Sequence, residues 1–272
     1  MKIIISHDVD HLYGKDHWFR DLIYPKLWLR STLQLLKRQI TIKEWFLRCI
    51  SCFQKKRHRL EAVMAFDKEH GVPSTFFFGM AKGLGMSYKP CEAKNAIAMV
   101  NDNGFDVGVH GINYQDKHKI KEEYDTFVNV MGYKPCGLRM HYVRFNKNTF
   151  DFADQAGYVF DSTEFDKPNG GTIKEPYKVG GMWEFPLAIM DGYLPIGLEK
   201  AKKKTLEKIE ECKRAGLEYV TILFHDYQFC EAYQNEYKWY RWIVELLSES
   251  KDCEFVSYKQ AMAELEARQC KK

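Results

Sequence analysis

The sequence predicts an α/β fold built on a parallel sheet, and two observations carry that expectation. Short apolar runs rich in β-branched and aromatic residues recur along the 272-residue chain and alternate with segments of helical periodicity. Parallel neighbours need crossover helices, so this alternation reads as repeated β/α units. The second observation is punctuation: Gly71, Gly104, Gly132, Gly157 and Gly216 each stand where a helix would stop in a left-handed residue before the next strand. At this length one α/β barrel and one doubly wound sheet are both open, and the chain can bury a sizeable core.

In chain order, strands are expected at Ile3 to Ser6, Ser74 to Phe78, Asp106 to Val109, Gly137 to Arg139, Tyr158 to Asp161, Met182 to Pro186, Tyr219 to Phe224 and Glu254 to Val256. Helices are expected over Lys56 to His70, Cys91 to Asn103, Lys119 to Met131, Lys147 to Ala156, Lys200 to Ala215, Tyr237 to Ser248 and Tyr258 to Arg268, each with apolar residues at three- and four-residue spacing.

Composition excludes several classes. With 45% hydrophobic and 15% aromatic residues and only 18 Gly and 8 Pro, the chain is neither collagen-like, low-complexity nor wholly disordered. A net charge of +4 is too small to imply a polyanion partner for the whole molecule. The eight cysteines are scattered, at 49, 52, 91, 136, 212, 230, 253 and 270, in a chain too large to need disulfide staples, so reduced thiols are expected. Cys49-Ile50-Ser51-Cys52 lacks the second pair of a zinc knuckle, and Gly83-Leu84-Gly85 lacks the third glycine of a dinucleotide loop. The start, Met1-Lys2-Ile3-Ile4-Ile5, reaches a charge by Asp8, and no uninterrupted apolar window could span a bilayer; the expected location is cytoplasmic.

Residues 12–59 interrupt the β/α rhythm. They hold 12 Lys and Arg against Asp16, Asp21 and Glu44, a local balance of +9 that leaves the remainder near −5. Trp18, Phe19, Tyr24, Trp28, Trp45, Phe46 and Phe53 are interleaved with them. Two readings stay open: basic aromatic helices at a membrane surface or a phosphate-bearing carrier, or a helical cover over one barrel end with a solvated basic face. Nucleic acid is not expected, because no recognised nucleic-acid-binding signature accompanies the charge.

The chemistry is concentrated where strands end. Ile3-Ile4-Ile5-Ser6-His7-Asp8-Val9-Asp10-His11 is an apolar strand running into acids and imidazoles, and strand C-termini form the functional face of parallel α/β folds. His110 ends a second strand, with Tyr114 four residues on; Arg139 and His141 end a third; His225 and Asp226 end a fourth. An acid and two imidazoles around an open position form the pattern of a catalytic divalent metal. Each His alone is more often a hydrogen-bonded structural residue, and a lone D-x-D is weak; four strands ending alike is the stronger signal.

These elements together resemble the polysaccharide deacetylase family, the NodB-homology or carbohydrate esterase family 4 group, over nearly the whole chain outside 12–59. The resemblance implies a single deacetylase-like domain over 1–272, a distorted (β/α) barrel of seven to eight mostly parallel strands with a helical insertion after the first. It implies Asp8 as general base, Asp10 and His110 as metal ligands, Arg139 as the group orienting the base, and His225 as general acid. Asp161-Ser162-Thr163-Glu164-Phe165 is similar to the family's fourth motif. Two departures stand out. Tyr114 occupies the place of the family's second histidine, and a phenol is a poor ligand at neutral pH. Arg139 is followed by Met140-His141-Tyr142 rather than by prolines, so His141 is expected to supply the missing ligand.

The implied activity is hydrolysis of an N-acetyl group, or another acyl group, on a sugar in surface-polysaccharide biosynthesis. One divalent metal is implied, zinc first, with cobalt, nickel and iron compatible. Asp226, Asp161 or Glu164 would keep the His225 imidazole protonated, and Tyr114 and Tyr142 would support substrate, with Tyr227 and Trp183 as further stacking candidates. His7 and His11 are reserve ligands. The sugar is expected to be linked to a nucleotide or lipid, with membrane-surface contact through 12–59. The rival readings are a degenerate member that binds glycan without hydrolysis and a D-x-D phosphoryl-transfer enzyme.

Overall fold

The structure is a computed structural model that describes residues 1–17 and 22–269. Trp18, Phe19, Arg20 and Asp21 of the basic segment, and Cys270, lie outside the described residues.

β1 (Lys2–Val9) is the central strand, buried along its length after Lys2, as a parallel strand covered on both faces should be. One edge pairs with β9 (Tyr219–His225) from Lys2 to Asp8. The other edge is shared: β10 (Glu254–Phe255) takes Lys2 and Ile3, and β2 (Thr75–Gly79) takes Ser6 to Val9. Beyond β2 follow β3 (Asp106–Gly111), β4 (Leu138–Met140), β5 (Phe160–Asp161) and β7 (Met182–Glu184), all parallel. β6 (Tyr177–Val179) adds an antiparallel edge to β7, and β8 (Leu187–Met190) pairs in parallel with β9 at the opposite edge.

β7 and β8 are one run of chain that changes partners. The Phe185 N–H still donates to Asp161 O on the β5 side at 2.9 Å, while Pro186 O accepts from Thr221 Oγ1 of β9. Pro186 stands where the ladder breaks and no N–H is required. The two flanks of the curled sheet are thereby joined, which gives the distorted barrel of mostly parallel strands that the motif order implied. β6 and β8 were not among the expected strands: β6 is three residues long, and no turn signal separates β8 from β7.

The helices match their expected segments to within a few residues: α3 (Leu60–Glu69), α4 (Pro90–Asp102), α5 (Lys117–Met131), α6 (Thr149–Ala156), α7 (Leu198–Arg214), α8 (Gln234–Glu249) and α9 (Tyr258–Gln269). They are preceded by α1 (Ile23–Leu36) and α2 (Ile42–Ser51) of the basic segment. All five expected glycine stops adopt positive φ, and Gly132 at φ 78° closes α5 by donating to Val128 O at 2.7 Å.

Strand alternation sorts the core into two faces. Ile3, Ile5, Val9, Phe76, Phe78, Val107, Val109, Ile222 and Phe224 face the helix layer, where they meet Leu60, Val63, Ile97, Val100, Phe127 and Ile243. Ile4, Phe77, Phe160, Trp183, Phe185, Tyr219 and Tyr258 form a separate inner cluster, with Phe160 and Tyr258 stacked at 4.2 Å. Ser6, Asp8 and Asp10 share the parity of Ile4 and so follow it along the inner face.

α2 starts with a reciprocal cap, in which Glu44 N donates to Thr41 Oγ1 and Thr41 N donates to Glu44. It rests on the turns after β9: Arg48 Nε donates to Ala232 O at 2.6 Å with its guanidinium over Tyr233, and Lys43 meets Glu231 at 2.6 Å. The insertion therefore sits at the end of the sheet that carries the acid pair. No described helix is long and apolar enough to cross a membrane.

Candidate metal centre and active site

Parallel strands deliver their C-terminal residues to one rim. Asp8 and Asp10 come from β1, His110 from β3, Arg139 and His141 from β4 and the turn after it, and His225 from β9. Asp8 pairs in register with His225, and His110 with Arg139.

Asp10, His110 and His141 each place one ligand-capable atom within 4.8 Å of the others, and all three are buried. His110 Nε2 lies 3.3 Å and His141 Nδ1 3.4 Å from Asp10 Oδ1, and the two ring nitrogens are 2.9 Å apart. Their other nitrogens face backbone carbonyls: His110 Nδ1 meets Arg139 O at 3.0 Å and His141 Nε2 meets Leu84 O at 3.1 Å. A carbonyl only accepts, so each ring carries its proton there and turns a lone pair toward the partner ring and the carboxylate. Asp10 Oδ1 is buried and receives no hydrogen bond. Two lone pairs and a carboxylate oxygen converging in this way call for a positive charge. Burial alone would depress the His141 pKa, but the Asp10 carboxylate outweighs it and raises it. Burial would likewise raise Asp10, yet His141, His110 and His225 hold it well below the usual carboxylate range. An oxygen and two imidazole nitrogens form a donor set that fits zinc and its first-row neighbours.

Asp8 lies beside this group, with Oδ1 3.6 Å from Arg139 Nη1 and Oδ2 3.6 Å from His110 Nε2. Arg139 is fully buried, and its Nη2 donates to Ser6 Oγ, Ser162 Oγ and Tyr258 OH at 3.0, 3.0 and 3.1 Å. Its guanidinium sits 5.0 Å over the Phe77 ring. These contacts fix the guanidinium and leave Nη1 for Asp8.

His225 is oriented by Asp191, a residue not singled out from sequence. Asp191 Oδ1 meets the ring Nδ1 at 2.7 Å, and Oδ2 accepts the His225 backbone N–H at 2.8 Å. Burial opposes the charged ring, but Asp191 with Asp10 and Asp8 pushes its pKa up to about 10. This corrects the expectation that Asp226, Asp161 or Glu164 would hold the imidazole. Asp226 Oδ2 instead accepts the Arg59 N–H at 2.8 Å, and burial pushes its carboxyl up to about 7. Asp161 pairs in register with Glu184; both are fully buried and both are shifted upward by burial, Asp161 to about 6 and Glu184 well above its ordinary range. Glu184 Oε1 accepts from the Thr163 and Glu164 N–H groups, and the Glu164 carboxylate pairs with Lys174 at 3.1 Å. Asp191 was legible by the rule used elsewhere, an apolar run ending in an acid, but only once Leu187–Met190 is recognised as a strand of its own.

Tyr114 is not in the metal group: its hydroxyl accepts from Gln115, and its ring lies 5.0 Å from the Arg144 guanidinium. Neither reserve histidine joins the group. His7 has the parity of Ile5, faces the helix layer, and is held there by Asp67 at 2.9 Å and Phe224 O. His11 is driven by burial to a pKa of about 3 and packs edge-on against His17 and Tyr227. Trp183 is buried in the inner cluster. Tyr142 is 58% exposed, lies on the His141 ring at 4.0 Å, and donates from its hydroxyl to Leu84 O at 3.0 Å. Tyr142 and Val143 both adopt left-handed backbone (φ 59° and 45°), an unusual strain for a β-branched residue and one found at functional turns.

No family model and no curated protein matches the sequence. Solved structures match the fold across nearly the whole chain. A Mycobacterium smegmatis protein assigned as a polysaccharide deacetylase aligns with a TM-score of 0.64 at 16% identity, covering 98% of this chain and 91% of that one. The allantoinase PuuE aligns at 0.64 and 11% identity, and a Pseudomonas aeruginosa PAO1 protein assigned as a polysaccharide deacetylase at 0.60 and 11%. Each of the latter two covers 95% of this chain and 88% of its own. The chain thus has the fold of the polysaccharide deacetylases, as the motif order implied.

Proposed function

We propose that the whole chain acts as one metal-dependent hydrolase that removes an acetyl or other acyl group from the nitrogen of a sugar. The observation that carries this reading is the convergence, on one rim, of Asp10, His110 and His141 with Asp8 beside Arg139 and His225 beside Asp191. Asp10, His110 and His141 would hold a divalent cation, zinc first. Bound there, such a cation supplies the charge that polarises an acyl carbonyl and acidifies water.

The chain's own residues do the rest. Asp8 takes the proton of the attacking water through Oδ2, the oxygen on the His110 side, and Arg139 beside Oδ1 orients that carboxylate. His225, held as imidazolium with its Nδ1–H on Asp191, gives its Nε2 proton to the departing amine. Val143, Phe165, Leu187, Met190 and Leu223 form a small apolar cluster on the inner face at this rim, which suits an acyl methyl.

We further propose that the sugar carries a phosphate, from a nucleotide or lipid linkage, in surface-polysaccharide assembly at the cytoplasmic face of a membrane. A groove of about 370 Å³ follows Tyr142 along the chain, lined by Tyr114, Arg144, Phe145, Phe165, Asp166 and Lys167. Among the described residues neither Arg144 nor Lys167 has a carboxylate within ion-pair distance, the Asp166 carboxylate accepts from Asn169 instead, and burial and Arg144 together lower the Lys167 pKa, which supports a bound anion here.

The test is elemental analysis of the purified protein beside Asp10→Ala, followed by acetate release from N-acetylated sugars with and without a phosphate. Metal lost in the variant and acetate released by the parent support the reading. A parent that takes up no zinc, cobalt or nickel overturns it and leaves the glycan-binding alternative.

A further inference from the structure

The helices of the insertion wear their apolar residues on the outside. Along α1 and its cap, Leu22, Leu29, Leu33 and Leu36 are 52, 65, 48 and 74% exposed, at the seven-, four- and three-residue spacing of one helical stripe. On α2, Ile42, Phe46 and Ile50 repeat every fourth residue and are 74, 56 and 40% exposed. Apart from Tyr24 on α1, the buried residues of the two helices are polar: Ser31, Glu44, Arg48 and Ser51. A surface helix ordinarily has the opposite arrangement, and exposed apolar stripes on two consecutive helices mark a surface that something covers.

The charges around the stripes identify the occupant. Arg30, Lys37, Arg38 and Lys43 are exposed on the same two helices and the turn between them. The one carboxylate between residues 22 and 59, Glu44, is buried and committed to the cap of α2 and to Gln234 N. Between residues 22 and 59 the outer surface therefore offers alkyl groups and cations with no exposed acid of its own, and Lys43 is the one of these four cations that meets a carboxylate from elsewhere, Glu231. A second copy docked on this face would bring cation against cation. A bilayer of anionic lipids complements both features, with acyl chains for the stripes and headgroup phosphates for the cations.

We propose that α1 and α2 lie in the plane of an anionic bilayer surface, with Leu29, Leu33, Leu36, Ile42, Phe46 and Ile50 at the acyl boundary and Arg30, Lys37 and Arg38 at the phosphates. At 14 and 10 residues the helices are too short to span a bilayer. The segment leaves β1 directly after Asp10 and rests on the turns after β9, so docking brings the rim of the candidate site toward the lipid. The inference stands on exposure and charge, and holds or fails apart from the hydrolase reading.

The test is co-sedimentation of the full chain with vesicles of phosphatidylcholine alone and of phosphatidylcholine mixed with phosphatidylglycerol. Binding to the mixed vesicles and not to the neutral ones is expected, weakening as salt rises. Leu33→Ser with Phe46→Ser should weaken it by more than about tenfold. Arg30→Gln with Lys37→Gln should weaken it by about fivefold per charge at low salt. All four positions are exposed, and circular dichroism with thermal melting confirms that the variants fold. No sedimentation with anionic vesicles, or sedimentation unchanged in both double variants, overturns the proposal. A dimer seen by ultracentrifugation and lost in Phe46→Ser also overturns it and gives the face to a second copy.

Discussion

Asp191 grips His225 twice, with one carboxylate oxygen 2.7 Å from the ring Nδ1 and the other accepting the same residue's backbone N–H at 2.8 Å. The ring cannot turn without breaking the first contact, and the backbone bond anchors the carboxylate that holds it. The pair fixes both the direction of Nε2 and the charge of the ring.

Asp191→Asn should therefore release the proton. In chelator-treated protein the His225 imidazole, followed by NMR, should titrate near neutrality or below instead of at about 10. Because the folded value is raised, the pair's stabilisation is complete below about pH 6.5 and fades as pH climbs through about 10, so the stability deficit of the variant should shrink at alkaline pH. Turnover should fall by about 10²–10⁴ if His225 is the acid. An unshifted titration would remove Asp191 from this role.

His141→Ala should lower metal affinity by more than about 100-fold, as judged by metal retained after dialysis, because one of three inward-facing donors is lost. Tyr114→Phe should retain the parent's metal content, since its hydroxyl is engaged by Gln115. Equal metal in His141→Ala and parent would mean that another residue completes the centre.

Asp8→Asn should separate binding from chemistry. Asp8 stands beside the metal group without being one of the three converging ligands. Metal content should stay near the parent's while acyl release falls by about 10²–10⁴. Loss of metal in parallel would make Asp8 a ligand instead of a base.

Glu184→Gln tests the buried acid pair. Burial raises both carboxyls, so the pair's contribution is full at acid pH and is lost as pH rises through about 6, where Asp161 ionises beside a Glu184 that must keep its proton. The amide keeps an acceptor for the Thr163 and Glu164 N–H groups. The melting temperature of the variant relative to the parent should rise between about pH 5 and about pH 8, by about 2–4 °C for each kcal/mol of that protonation cost removed. A pH-independent difference would show that the two acids do not share a proton.

Most of the fold was legible because its signals are local. Apolar runs, helix periodicity and glycine stops depend on near neighbours, and each such element lies within a few residues of its expected place. What escaped depends on tertiary pairing. Leu187–Met190 is separated from Met182–Glu184 only by Phe185 and Pro186, and nothing in those two residues announces that the ladder changes partners. Missing that change hid Asp191, the one site residue on β8's end. His141 could be singled out because its strand, Gly137 to Arg139, ends in an obvious cluster. The turn of His7 toward the helix layer, opposite to that of its immediate neighbour Asp8, follows from strand parity once β1 is known to extend to Val9.

The pairing of β1 with β9 sets an order of events as the polypeptide leaves the ribosome. Lys2 meets Tyr219 and Asp8 meets His225, so on this edge the first strand made waits for more than two hundred further residues before its neighbour exists, although β2 reaches its other edge far sooner. Until then one long edge of the strand that carries both acids is uncovered, and contacts this distant in sequence form slowly. The residues that converge on the rim accordingly mature late and together, and a chain arrested before β9 holds the acids, His110, Arg139 and His141 without the strand that keeps β1 in place.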